Sequence, residues 1–287
     1  MARTAGSPGT NDYTQSHFPI FAQMKKVISW LIRYVPRKYL QRVAGSGLKL
    51  VGIFYAGSNV ACPVCTRQFR KFLPYGRVNP RPNALCPNCM SLERHRLLWL
   101  YLEQRTDFFK RPLKVLHFAP EACFVHRFEK LHGDGYITAD IESPLAKLKV
   151  DIHNIPLEND TFDVVLCNHV LEHVADDIRA MREIHRVLKP GGFSILQVPF
   201  FNPVPDTTQE DPSVQDPKER ERLYGQRDHV RKYGRDYPSR IEAAGLKAVE
   251  DDFVNTLPED IRQRHGLVKG EIVFRGNKGI RYKGIEV

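Results

Sequence analysis

Short apolar runs alternate with amphipathic stretches along the second half of the chain. Residues 113–118 (LKVLHF), 136–141 (YITADI) and 162–167 (FDVVLC) are brief and rich in Val, Ile, Leu and Phe, as buried strands are, and 147–151 is a shorter one. Between them, residues 121–132 and the stretch running into RVLKPGG (186–192) predict helices. FSILQVPF (193–200) reads as the next strand, a last helix is expected near 236–244, and KAVEDDFV (247–254) and EIVFRG (271–276) supply closing strands. Strand–helix alternation at this spacing predicts an α/β fold, a largely parallel sheet with helices on both faces. Gly191 and Gly192, after Pro190, read as a helix stop. Residues 201–227 are polar, carry four prolines and read as one long loop. Ahead of the alternation, SLERHRLLWLYLEQ (91–104) predicts a helix capped by Ser91, with Glu93 at its positive end and a Leu/Trp/Tyr face to bury.

The front of the chain has a different texture. Residues 1–23 are small, polar and patternless, as a mobile tail is. Residues 24–55 open with MKKVISWLIRYVPRKYLQRV, a basic segment with Ile28, Leu31, Ile32 and Val35 at helical spacing. It suits a basic amphipathic helix, lying on an anionic membrane surface or docked on the protein body. Met24 also offers a second start for the chain. The charge follows the same division. Residues 1–112 hold 18 Lys and Arg against 4 Asp and Glu, whereas the remainder holds 25 against 29. A cationic front third on a mildly acidic body points to RNA or another polyanion, or to a merely solvated basic face. There is no apolar run long enough to span a bilayer, so the expected location is cytoplasmic, with peripheral contact at the inner membrane face.

The cysteines change the picture most. Cys62 and Cys65 form one CPVC knuckle, and Cys86 and Cys89 form a CPNC knuckle after 20 intervening residues. Two such knuckles at this gap match a four-thiolate tetrahedral zinc site, so residues 56–90 read as a zinc ribbon. Disulfides or a dithiol redox pair suit a cytoplasmic chain with two CxxC pairs less well. With all four ligands supplied by protein, the metal has no open position and a structural role. Arg67, Arg70, Lys71, Arg77 and Arg81 either grip a phosphate backbone or keep the ribbon soluble. Cys123 and Cys167 read as packed thiols.

Ligands of a doubly wound sheet bind beyond the carboxyl ends of its strands, here HFAPE (117–121), TADI (138–141), VDIHNIP (150–156), LCNHV (166–170) and QVPF (197–200). Asp140, about twenty residues past the first strand, is placed to accept the hydroxyls of a ribose. Residues 151–199, with FDVV, NHVLEHV and RVLKPGG in sequence, resemble the central part of class I S-adenosylmethionine-dependent methyltransferases of the type 11-like group. The resemblance runs from residue 113 to about 200 and more loosely to the end. It implies a Rossmann-like class I sheet over 91–287 behind an N-terminal zinc-ribbon module, with S-adenosylmethionine and zinc as cofactors. It further implies that Asp140 binds the ribose beside Ile141, that Asp151 accepts the adenine amino group with Ile152 against the ring, and that Asn168 and His169 face the methionine half.

The chain departs from that family at the first turn, which lacks glycines. Ala119 costs only a methyl there, Pro120 suits a first helical turn, and Glu121 offers a carboxylate to the cofactor's ammonium group. The expectation is a rebuilt turn rather than a dead one. Proton removal, where the acceptor needs it, falls to His169, His173 or His229, with Glu172 and Asp228 nearby in sequence. The acceptor itself is open: RNA, a membrane-proximal glycan or lipid, or a small molecule. The alternative is a non-catalytic zinc-ribbon adaptor with a degenerate methyltransferase fold.

Overall fold

The computed structural model describes residues 52–76, 80–282, 285 and 286. The expected tail (1–23) and residues 24–51 of the basic segment lie outside the described residues. Leu48–Val287 forms one compact unit, and the description below concerns it alone.

Four short strands come first: β1 (Ala56–Ala61), β2 (Gln68–Phe69), β3 (Leu73–Tyr75) and β4 (Arg81–Leu85), paired β1 with β2 and β3 with β4. Helix α1 (Glu93–Arg105) leads into β5 (Val115–Phe118), α2 (Ala122–His132), β6 (Tyr136–Asp140), β7 (Leu148–Lys149) and β8 (Phe162–Asn168). Next come α3 (Asp177–Val187), β9 (Leu188–Gln197), β10 (Gln209–Glu210), α4 (Pro217–Tyr224), β11 (Arg231–Lys232) and α5 (Tyr237–Ala243). There follow β12 (Lys247–Asp251), α6 (Phe253–Thr256), α7 (Glu259–His265), β13 (Val273–Asn277) and a paired β14 (Arg281–Tyr282) and β15 (Ile285–Glu286). A seven-stranded sheet runs in the order β12-β13-β9-β8-β5-β6-β7, and β13 is antiparallel to both its neighbours while the central pairs are parallel.

Alternation within the central strands divides the core. Val115, Val164, Leu166 and Ile195 join one cluster, under α1 and α2, while Leu116, Val165, Cys167 and Leu196 join the other, under α3 and α5. Both faces are buried because a parallel sheet needs cover on both sides. The first cluster does not stop at the sheet. It continues through Leu97 and Leu98 of α1 into Val60, Val64, Phe69 and Phe72 of the N-terminal module. Packing thus supplies part of what the small N-terminal module could not bury by itself.

Several expectations need correction. The helix ends at Val187, with Leu188 already extended, so Gly191 and Gly192 are not its stop. They lie within β9, where Gly191 has φ 79° and a Cβ on Gly192 would come within 2.9 Å of the Asp163 and Lys189 carbonyl oxygens. Their role is close backbone approach at an irregular stretch of the β8–β9 pairing. Ser91 does not cap α1. The cap residue is Leu92, whose N–H donates to His95 Nδ1 at 3.0 Å, because the Ser91 hydroxyl is turned towards sulfur. Residues 201–227 contain β10 and α4 rather than one loop, and α6 and α7 follow the helix expected to be last.

Candidate functional site

The two knuckles converge. The Sγ atoms of Cys62 and Cys89 are 3.6 Å apart, those of Cys65 and Cys86 are 3.7 Å apart, and all four lie within 4.8 Å of one another. A tetrahedron with metal–sulfur bonds of about 2.3 Å has edges of about 3.8 Å, so the spacing fits one zinc ion. None of the six cysteines is in a disulfide. The knuckles share one backbone plan: Thr66 N–H donates to Cys62 O and Met90 N–H to Cys86 O, with Thr66 and Met90 both near φ 60°. Ser91 Oγ lies 3.1 Å from Cys62 Sγ and 3.3 Å from Cys89 Sγ. Hydrogen bonds from Cys62 pull the Cys65 thiol far down and push Cys86 and Cys89 up, as in a group whose full ionisation requires a cation. Beneath the ribbon, the buried Arg96 guanidinium donates to the carbonyls of Ala84, Ser91, His265 and Gly266 and stacks 4.1 Å over Phe72. His265 Nδ1 meets Ala61 O at 2.8 Å, so α1 and α7 clamp the ribbon from two sides.

At the end of β5 the chain turns through Ala119 in the left-handed region, at φ 46°. That conformation costs an L-residue about 1–2 kcal/mol, so this turn does what glycine would do, at some strain. Ala119 N–H donates to Ala139 O, tying the turn to β6. Glu121 follows as the cap residue of α2. Its Oε2 is 2.5 Å from His117 Nε2, and its Oε1 accepts from Asn168 Nδ2 at 3.1 Å. The other nitrogen of His117 is 2.7 Å from the buried Tyr136 hydroxyl. Burial opposes ionisation of Glu121, but the electrostatic pull and the hydrogen bond of His117 outweigh it, and the carboxyl is held down at about 2.

His95 of α1 faces this pocket. Because His95 Nδ1 accepts from Leu92, the proton lies on Nε2, which faces Glu121 Oε1 from 3.9 Å and makes no hydrogen bond among the described residues. Arg94 Nε is likewise buried and unpartnered among them, as is the Oδ1 of Asn168. Burial lowers His95 to about 3, so it is a neutral donor. Glu271, before β13, is raised by burial and feels His169 and Arg94. Sequence reading missed Arg94, His95 and Glu271 as site residues. The available signal was the polar triplet Arg94-His95-Arg96 directly ahead of the apolar run Leu97–Leu102.

The outer strand ends present separate groups. Asp140 Oδ1 accepts from the N–H groups of Glu142 and Ser143 at 2.7 and 2.6 Å, leaving Oδ2 without a partner among the described residues. Ile141 beside it is 65% exposed, an unusual state for isoleucine, whereas Ile152 is buried in the core. Asp151 Oδ1 accepts from the backbone N–H of His153 and lies 2.7 Å from its Nδ1; the backbone hydrogen bond leads in lowering its carboxyl. On the other flank, His169 leaves β8 at φ 54°, with its Nδ1 3.3 Å from Glu172. His173 and His229 meet edge to face at 4.9 Å, and burial lowers His229.

The sheet order, with its one reversed strand, is that of the Rossmann-like class I methyltransferase fold. Residues 129–196 match the family described as methyltransferase domain. A tRNA U34 carboxymethyltransferase of Nautilia profundicola is 34% identical over 129 residues, 45% of this chain and 40% of that protein. The ubiquinone/menaquinone biosynthesis C-methyltransferase UbiE of Pectobacterium atrosepticum is 30% identical over 140 residues, 42% of this chain and 55% of its own. The chain thus spans about half or less of these curated relatives. A solved structure of an S-adenosylmethionine-dependent methyltransferase from Archaeoglobus fulgidus aligns with a TM-score of 0.41 at 15% identity, covering 63% of this chain and 93% of that one.

Proposed function

We propose that this chain is an S-adenosylmethionine-dependent methyltransferase whose cofactor pocket is completed by the helix following a structural zinc ribbon. One observation carries the reading. Around Glu121 the described residues leave the buried donor His95 Nε2–H and the buried acceptor Asn168 Oδ1 without partners, and next to His95 in the chain the buried Arg94 Nε has none either. Unpaired buried polar atoms cost about 1–3 kcal/mol each, so a set of both signs calls for a ligand with both signs. The α-ammonium and α-carboxylate of the cofactor's methionine half are such a pair. Asn168 Oδ1 and Glu121 Oε1 take the ammonium, and His95 and Arg94 take the carboxylate. His117 and Tyr136 hold the Glu121 carboxylate still.

The remaining assignments follow the strand ends. Asp140 Oδ2 accepts from the ribose hydroxyls while its Oδ1 keeps the following turn in place. Ile141 covers one face of the adenine; Asp151 accepts from its amino group; Ile152 supports that turn from the core. His169 faces the methionine half and, with His173 and His229, borders the acceptor. The cofactor supplies an activated methyl group on a sulfonium, so the protein's share is alignment of the acceptor and acceptance of a proton. Cys62, Cys65, Cys86 and Cys89 hold the zinc, which fixes the base of α1. The cationic front third favours a polyanionic acceptor such as RNA over a glycan or lipid at a membrane.

Titration calorimetry of purified protein with S-adenosylmethionine tests the reading. Saturable binding at one site is expected. Absence of binding in zinc-replete protein would leave the non-catalytic adaptor as the better account.

A further inference from the structure

Glu172, His173 and His229 form a cluster separate from the ribbon, each offering one ligand atom within 4.8 Å of the others. The Glu172 side chain is 1% exposed, and its Oε2 has no hydrogen-bond partner among the described residues. His229 is fully buried, and its Nε2 is equally without one. The other nitrogen of each imidazole faces a backbone carbonyl: His229 Nδ1 is 3.0 Å from Tyr224 O, and His173 Nδ1 is 3.2 Å from Asp228 O. A carbonyl can only accept, so both rings carry their proton on Nδ1 and keep a lone pair on Nε2. A backbone carbonyl behind Nδ1 is the usual outer support of a metal-bound imidazole. The frame is also fixed. Arg231 donates to the carbonyls of Leu171, Val174 and Ala175, and Val230 N–H donates to Glu172 O, tying the segment with two ligands to the segment with the third.

We propose that Glu172, His173 and His229 bind a first-row divalent transition ion through one carboxylate oxygen and two imidazole Nε2 atoms. Two imidazoles with one carboxylate favour manganese, iron or zinc over magnesium or calcium, which prefer all-oxygen shells. Three protein ligands leave coordination positions for an acceptor oxygen. Resting on the methyltransferase reading, this makes the acceptor group a hydroxyl or a vicinal diol, whose proton is more easily lost beside a cation. The hydroxyl proton passes to His169, the oxygen forms its bond to the methyl carbon, and the carbon–sulfur bond breaks to leave a neutral thioether.

The test uses the full chain with its ribbon loaded with zinc, and Mn²⁺ as probe, followed by loss of the free-ion paramagnetic resonance signal. One Mn²⁺ per chain should bind, and Glu172→Gln and His229→Gln should each weaken it at least tenfold. Replacing the exposed His126 by Ala should not alter it. Thermal melting of the same samples reports whether the variants keep their fold, and calorimetry with S-adenosylmethionine reports cofactor binding. No uptake of Mn²⁺, Co²⁺ or Zn²⁺ beyond the ribbon, or equal uptake by wild type and both folded variants, overturns the metal site while retained cofactor binding leaves the methyltransferase reading intact. Metal uptake without S-adenosylmethionine binding would instead uphold the site and remove the methyl-transfer role.

Discussion

The ribbon and the first-turn pocket meet at α1 and are built on opposite plans. The ribbon's ligands are four residues of one type, in two pairs local in sequence, around a single point. The pocket's polar groups are of four types and come from three places in the chain: Arg94 and His95, His117 and Glu121, and Asn168. Neighbouring residues of α1 serve both. Arg96 turns into the ribbon and His95 into the pocket, as the roughly 100° step between successive helical residues requires. Charge is handled differently too. The ribbon gathers four thiols at a spacing that suits one cation, whereas the pocket sets one carboxylate among hydrogen-bond donors. A module that looks like an appendage in sequence is therefore tied to the helix that faces the candidate pocket.

The largest expected effect breaks the ribbon. Cys86→Ser should reduce zinc from one ion per chain to near zero by metal analysis and lower the melting temperature sharply, since zinc binding contributes strongly to the stability of small modules. Because Ser91 and Arg96 link the sulfurs to α1, the same variant should also weaken S-adenosylmethionine binding severalfold. If cofactor affinity is unchanged after full zinc loss, the two regions are independent and the shared-helix account fails.

Next in size is Asp140→Ala. It removes a charged acceptor of ribose hydroxyls, a loss of at least about 1.4 kcal/mol, so affinity should fall tenfold or more. His95→Gln should have a smaller, severalfold effect, confined to ligands that carry the α-carboxylate. Unchanged binding of S-adenosylhomocysteine by that variant would remove His95 from the pocket.

The smallest effect is on pH dependence. Burial holds His95 at about 3 and His132 at about 4, against the usual 6.5, and lowers His229 and His265. The unfolded chain takes up these protons first, so stability is complete above about 6.5 and falls continuously as pH drops towards 3. Glu121, held at about 2 against the usual 4.5, contributes fully above 4.5 and loses that contribution progressively as pH falls from 4.5 towards 2. Melting temperatures between pH 7.5 and 5 should therefore decline, less steeply in His95→Gln. A flat profile would mean that these rings are not held neutral.

The two plans explain what could be read from sequence. Four cysteines at fixed spacing state their own geometry, and the strand–helix alternation states the sheet, so both were legible. In the proposed pocket, sequence singled out the residues at or just past a strand end, Ala119, Glu121, Asp140 and Asn168. His95 was not singled out, because its role depends on how far α1 rotates when Leu92, rather than Ser91, becomes its cap. The helix stop assigned to Gly191 and Gly192 failed for a similar reason: a Pro-Gly-Gly run ends a helix as readily as it lets two backbones approach, and only the neighbouring Asp163 carbonyl distinguishes them.

The central claim is that the chain rebuilt a glycine turn around Glu121 to hold a methionine zwitterion. Calorimetry of Glu121→Gln with S-adenosylmethionine, S-adenosylhomocysteine and 5′-methylthioadenosine tests it most directly. The first two carry the α-ammonium and the third does not. Weakened binding of the first two with unchanged binding of the third is the expected result. Equal loss for all three would contradict the claim and leave Glu121 as a residue that only holds the turn.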